Sequence, residues 1–368
     1  MLTDLNTVIG PVVEGLATGP PAAVADLAQA LGRAEGQPAL QRLAGEFVPL
    51  QASLAHSGMA GTAQARLITG LVDTLTRRLI ALAEAELAEP APGPWAWLAC
   101  GSQGRAEQTV HTDQDNALVY ADGLPKGADD WYRALAQRVT GGLDACGLPH
   151  CPGGVSPANR EWRRSVSGWR QAMRSVVEAP ERKAVMLATH YLDLRGVAGD
   201  PSLFEPVREE ALAAAAANRR FIARLSDGAT RPRPPWHALG RIWTPWVGEH
   251  AGRVDLKQGA ILPLVQLARV YAVRAGVSAR HTLERLEQAA AAGALAEDDA
   301  ERLMAGYRAV IATRARLHAE AIRAGRPLHN QVPVADLTGA EYRAVRGAFR
   351  AILRRQRVLR QAVIREGL

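Results

Sequence analysis

An α+β fold, with one small mixed sheet between two helical regions, is predicted by two observations. Residues 95–120, WAWLACGSQGRAEQTVHTDQDNALVY, read as an apolar strand (Trp95 to Cys100), a glycine turn (Gly101 to Gly104) and a second apolar run headed by Asp113 and Asp115. On both sides of this segment the apolar residues recur at helical spacing instead. Leu67, Leu71, Leu75 and Leu79 do so before it, and Ile261, Leu264, Leu267, Val270 and Tyr271 after it.

The strand pattern carries the chemistry. Side chains alternate across a strand, so Asp113 and Asp115 share one face, with Ala117 and Val119 behind them. Adjacent carboxylates repel, and a cation between them relieves the repulsion. A hard divalent ion such as Mg²⁺ suits oxygen ligands and normally arrives with a nucleotide's phosphates. Gly101 and Ser102 offer backbone N–H groups and a hydroxyl at a turn where glycine permits close approach to phosphate. Competing motifs fail on spacing. A calcium loop starting at Asp113 would need glycine at position 118 and glutamate at 124, and both are leucine. Neither G-x-G-x-x-G nor the G-K-[ST] end of a Walker loop is present in GSQG. A polar turn between two core strands does not account for two aspartates heading an apolar strand.

Glycine-serine, ten residues and Asp-x-Asp is the signature of the DNA polymerase β-like nucleotidyltransferases. The longer run GSQGRAEQTVHTDQDNALVY resembles the nucleotidyltransferase family DUF294. That family is related to the protein-PII uridylyltransferases and the glutamine-synthetase adenylyltransferases. The segment CPGGVSPANREWRRSVSGWR is also similar to the family, and RVDLKQGAILPLVQLARVYAVRAG resembles its C-terminal substrate-binding bundle. The resemblance implies a polymerase β-like core flanked by an N-terminal helical region and a C-terminal helical bundle. It implies a Mg²⁺-dependent transferase (two ions, or Mn²⁺ in their place) that moves UMP or AMP from an NTP to an acceptor hydroxyl. The acceptor expected from the PII relatives is a regulatory protein. A nucleotide-sensing module without catalysis and a small-molecule nucleotidyltransferase are the alternatives.

Such chemistry calls for a third carboxylate on a neighbouring strand. The run Val185 to Leu194 reads as that strand with Asp193 inside it, and relatives carry a similar aspartate-x-arginine run. Pairing of Asp193 with Arg195, or capping of the next turn, is the structural alternative. Glu107, Asp122 and Asp144 lie outside strand-like runs. The expected catalytic and metal residues are therefore Asp113, Asp115 and Asp193. The expected phosphate ligands are Gly101, Ser102, Gly104, Arg105 and Lys257. Lys257 is one of only three lysines, with Lys126 and Lys183, in a chain otherwise served by arginine. A compact ammonium at a phosphate is one use for which arginine is no substitute; a solvated residue at a helix start is the other reading.

Three regions follow: helices over 1–90, the catalytic domain over 91–225 and a helical substrate-binding domain over 237–368. Pro90-Ala-Pro92-Gly-Pro94 and RPRPPW (231–236) are the connectors. Within the catalytic domain, helices are expected over Ala128 to Cys146 and Arg160 to Val177. Trp162 and Trp169 are expected in the core, and Arg160, Arg163 and Arg164 are candidate triphosphate contacts. Past the second connector no strand pattern is visible. The last helix, Glu341 to Glu366, sets Val345, Phe349, Ile352, Leu359 and Val363 on one stripe, with its arginines largely elsewhere.

Composition limits the partners. The 368 residues carry a formal charge of +7, nearly all the basic residues are arginine, and no RNA- or DNA-recognition motif appears, so nucleic acid is not the expected partner. Three cysteines, Cys100, Cys146 and Cys151, suggest neither a disulfide framework nor a zinc site. The start MLTDLNTVIGPVVEGL lacks a basic leader region and no apolar run reaches membrane length, so a cytoplasmic, non-membrane protein is expected.

Overall fold

Five consecutive buried residues, Trp95–Ala99, form the strand β1 at the centre of the sheet in the computed structural model, which describes residues 21–237 and 239–365. The amino-terminal segment read above for a leader and Glu366 lie outside the described residues. β2 (Asn116–Tyr120) runs antiparallel to β1, with Trp95 opposite Tyr120 and Ala99 opposite Asn116. β3 (Arg163–Ser165) is parallel to β2, and β4 (Arg195–Gly199) is antiparallel to β1 across a register shift at Trp97 and Leu98. The order is β3-β2-β1-β4, a small mixed sheet. Burial on both faces explains why β1 is continuously apolar rather than alternating. Each large side chain it buries contributes about 1.5–3 kcal/mol.

The chain divides into two compact units. One takes in residues through 59, with 63–172 and 193–208; the other comprises 60–62, 173–192 and 209–368. The first unit holds the sheet. Its helices include α1 (Ala22–Arg33), α2 (Gln37–Gly45) and α3 (Phe47–His56), most of α4 (Gly61–Glu86), and α5 (Ala128–Ala145). Leu67, Leu71, Leu75 and Leu79 on α4 are all buried, as their spacing predicts, in one cluster with Trp97, Leu118 and Val139. A side chain at Gly142 of α5 would meet Leu79 at 2.7 Å, so α4 and α5 pack through that glycine.

The stretch Arg160–Val177 is not one helix. A 3₁₀ turn (Arg160–Trp162) leads into β3, and α6 (Val166–Glu178) begins only afterwards. Three residues are too few for a strand period to show, and pairing with β2 decides the conformation. Trp162 and Trp169 are core residues, their ring centres 6.4 Å apart, and the Trp169 indole donates to the Leu118 carbonyl at 2.9 Å. Arg163 is also structural. It grips both Asp129 oxygens at 2.8 Å and donates to the carbonyls of Pro157 and Ala158. That grip holds the Asp129 carboxyl below its usual range, and Arg163 is not available as a triphosphate contact.

A second correction concerns Val185–Leu194. Arg182–Tyr191 is a helix, α7, and the strand β4 starts at Arg195. Val185, Ala188 and Tyr191 are buried, at helical spacing, while Met186 stands out in solvent. Ala, Met, Leu and Lys favour that helix intrinsically, and Asp193 falls in the turn before β4 instead of inside a strand.

The second unit is a helical bundle. Among its helices are α8 (Glu205–Ala217), whose first residues belong to the other unit, and α9 (Arg219–Ala229). They are followed by α10 (Leu262–Ala275), α11 (Thr282–Ala291), α12 (Glu297–Arg323) and α13 (Gly339–Arg365). It also contains a two-stranded ribbon, β5 (Arg253–Asp255) against β6 (Gln331–Pro333), that the sequence pattern does not reveal. Its strands are three residues long, with Arg253 opposite Pro333 and Asp255 opposite Gln331. On α13, Val345, Phe349, Ile352 and Leu359 are buried. Some of its arginines are used inside the bundle: Arg355 bonds the Tyr271 hydroxyl and Asp299. No helix among the described residues is long and apolar enough to cross a membrane.

Candidate active site

The edge where β1 ends and β2 begins collects the expected residues of the first unit. After Ala99 the chain makes one helical turn, Gly101–Gly104. Gly101 has φ +56, a conformation that side chains disfavour, and a Cβ there would stand 2.5 Å from an Asp115 oxygen. Gly104 is needed for a different reason: a Cβ would collide with the carbonyls of Asp193 and Ala99. The turn therefore lies directly on Asp115, and the Cys100 N–H donates to the Asp115 carbonyl at 2.9 Å. The Ser102 hydroxyl has no hydrogen-bond partner among the described residues. Just after the turn, Ala106 has φ +57, the one non-glycine at positive φ among the described residues. Such local strain concentrates at functional sites.

Asp113 and Asp115 are half-buried and present oxygens within 4.8 Å of each other and of the Cys151 sulfur. Oxygen or sulfur ligands about 2.0–2.3 Å from a shared ion are themselves about 3–4 Å apart, so small side-chain rotations bring this set onto one cation. The donor set fits a divalent metal. Cys151 joins this donor set without being marked by the cysteine count, which speaks only to disulfides and zinc frameworks. Its signal was present in CPGG, a turn motif within the second family-like segment. Burial pushes the Cys151 thiol up to about 11, with a hydrogen bond to Asp115 and that carboxylate's charge adding to the effect.

Asp193 lies nearby but is held differently. Its side chain is 1% exposed, and Arg105 Nη1 pairs with it at 2.6 Å while Arg105 Nε pairs with Glu107 at 2.8 Å. Arg195 pairs instead with Asp73 of α4 at 2.9 Å and donates to the Gln103 carbonyl, so the suggested Asp193–Arg195 pair does not form. Gln103 also donates to Asp73. The turn is thus fastened from beneath by Asp73, Gln103 and Arg195. Asp115 and Asp193 both act on Cys100: burial pushes its thiol well above the ordinary value, and the two negative charges push it further. Cys100 is a core thiol at the hub of the site. Lys257 belongs to the second unit, where it is exposed at the start of a single π-helical turn, Lys257–Ile261. Arg164 lies over the Trp169 ring, 5.9 Å from its centre, with its Nε given to the Glu161 carbonyl.

A mixed sheet whose first two strands lay a glycine turn against an Asp-x-Asp pair is a polymerase β-like nucleotidyltransferase core. Residues 46–183 match the family described as "Putative nucleotidyltransferase DUF294", and residues 219–363 match its "Putative nucleotidyltransferase substrate binding domain". The chain belongs to the DUF294 nucleotidyltransferase family. No curated protein matches it.

The turn gives a test of phosphate binding. In Gly101→Val the β-branched side chain meets both the φ of +56 and the Asp115 carboxylate, so nucleotide affinity should fall at least about tenfold. Ser102→Ala should weaken it by about 1 kcal/mol, one hydrogen bond. Calorimetric titration with Mg²⁺-NTP measures both. Unchanged affinity in Gly101→Val would remove the turn from the nucleotide site.

Proposed function

We propose that this protein is a Mg²⁺-dependent nucleotidyltransferase that moves UMP or AMP from an NTP to an acceptor hydroxyl, with a regulatory protein as the acceptor. The observation that carries the reading is the seating of the Gly101 turn on Asp115, one of three side chains that form a cation-sized donor set. Asp113 and Asp115 would hold Mg²⁺, which would supply charge neutralisation for the triphosphate and the leaving pyrophosphate. Gly101 and Ser102 bind the β- and γ-phosphates through backbone N–H groups and the hydroxyl. Gly104 allows the turn to lie flat against the strand ends. Arg105 is assigned to the phosphates by its place at the end of the turn, and its pairing with Asp193 and Glu107 keeps the guanidinium oriented. Asp193 accepts the proton of the attacking hydroxyl and completes the metal carboxylates. Lys257, in the second unit, is kept as a candidate phosphate ligand on the scarcity of lysine alone. The protein acceptor rests on resemblance to the PII uridylyltransferases, and a cytoplasmic location follows from the need for an NTP pool.

One observation favours a second reading. Arg105 already neutralises Asp193, as suits a site that binds nucleotide and signals without transferring it. Incubation with each radiolabelled NTP, Mg²⁺ and cell lysate separates the two. Transfer predicts a labelled protein band and pyrophosphate release. Micromolar nucleotide binding with no release from any NTP would establish the sensor.

A further inference from the structure

Cys151 is placed beside the aspartate pair by a specific set of backbone links. The Gln114 N–H, between the two aspartates, donates to the Pro149 carbonyl at 2.9 Å, and the Asn116 N–H donates to the Val155 carbonyl at 3.2 Å. Gln114 also forms a parallel bridge with His150, and its side-chain amide donates to the carbonyls of Leu148 and Thr140, both at 2.9 Å. Residues 148–155 are therefore stitched along the aspartate strand on both sides of Cys151. Between the stitches, the Gly154 N–H closes a turn onto the Cys151 carbonyl at 3.0 Å, and Gly154 takes φ +73 to do so. The register leaves the sulfur facing the same space as the two carboxylates.

We infer that Cys151 is a further protein ligand of the metal site, beside the carboxylates, so that Asp113, Asp115 and Cys151 offer an O,O,S set that favours Zn²⁺ and Co²⁺ over Mg²⁺. This rests on the reading of the aspartate pair as a metal site. Hard Mg²⁺ gains little from sulfur and is held by the carboxylates, whereas borderline and softer ions bind the thiolate strongly. Cys151 then determines which ions compete at the site, and Zn²⁺ is the expected tight competitor.

The experiment titrates the metal-free full chain with Co²⁺ alone and records the near-ultraviolet sulfur-to-cobalt charge-transfer band. Zn²⁺ and Mg²⁺ affinities are measured in parallel by calorimetry. Wild type should show the band, Cys151→Ser should lose it, and Cys146→Ser should keep it. Cys151→Ser should bind Zn²⁺ about 10- to 100-fold more weakly, a range reached even by the loss of outer partners of a metal site. Its Mg²⁺ affinity should stay within about twofold of wild type. Co²⁺ binding without the band in wild type, a band that survives Cys151→Ser, or equal Zn²⁺ affinities in a folded Cys151→Ser would overturn the role of Cys151 and leave the aspartate site standing. If Asp113→Asn/Asp115→Asn bound Mg²⁺ and Co²⁺ as tightly as wild type, the metal reading itself would fall.

Discussion

Asp113→Asn/Asp115→Asn should abolish nucleotidyl transfer while leaving the protein folded. The two carboxylates head β2 on one face, close to each other and to Cys151. Their removal takes away the ligands of an ion expected to stabilise the transition state by several kcal/mol, a loss of about 10³-fold or more in turnover. Stability should move the other way. Like charges held at close range repel in the metal-free protein, and an asparagine at position 115 still accepts the Cys151 thiol hydrogen, so the melting temperature should equal or slightly exceed that of wild type. Pyrophosphate release and thermal unfolding measure the two arms. Wild-type transfer by the double variant would end the metal assignment. Loss of folded protein would show that the pair is structural.

The second large effect is expected at Arg105, where one guanidinium serves two buried carboxylates. In Arg105→Met, Asp193 and Glu107, with side chains 1% and 4% exposed, lose their common partner. Removing one partner of a buried ion pair costs up to about 3–5 kcal/mol, and denaturant unfolding reads that loss directly. Asp193→Asn is the informative companion, because Arg105 keeps Glu107 and the fold should survive. If Asp193 is the general base, turnover should drop by about 10² to 10⁴, with a much smaller change in Mg²⁺-NTP affinity. Release that survives Asp193→Asn would pass the role to Glu107, which reaches the same guanidinium. An Arg105→Met protein as stable as wild type would mean that water or a rearranged side chain already shields these carboxylates.

Much of this was legible in the chain because the signals were local. Strand β1 is an unbroken apolar run, and Gly101, Gly104 and the alternation of Asp113 and Asp115 follow from backbone geometry within a few residues. The leucine spacing on α4 and the apolar stripe on α13 are likewise periodicities that one helix reveals. The misreadings share a different origin. Val185–Leu194 was short and apolar, and a strand and a buried helix segment look alike at that length. β3, β5 and β6 are three residues each, below the length at which any period can be seen.

By itself, then, the sequence determined the sheet's central strands, the glycine turn, the paired aspartates and the family to which they belong. Only the tertiary structure decided the partners. Arg105 faced several carboxylates in the sequence and chose Asp193, 88 residues away, together with Glu107. Arg195 went to Asp73 instead of its neighbour, and Cys151 arrived beside Asp113 and Asp115 through hydrogen bonds made by Gln114 and Asn116. Local conformation is set by backbone sterics and side-chain periodicity, which a sequence displays. The pairing of buried charges is set by which groups are desolvated together once distant segments close, and no local pattern records that.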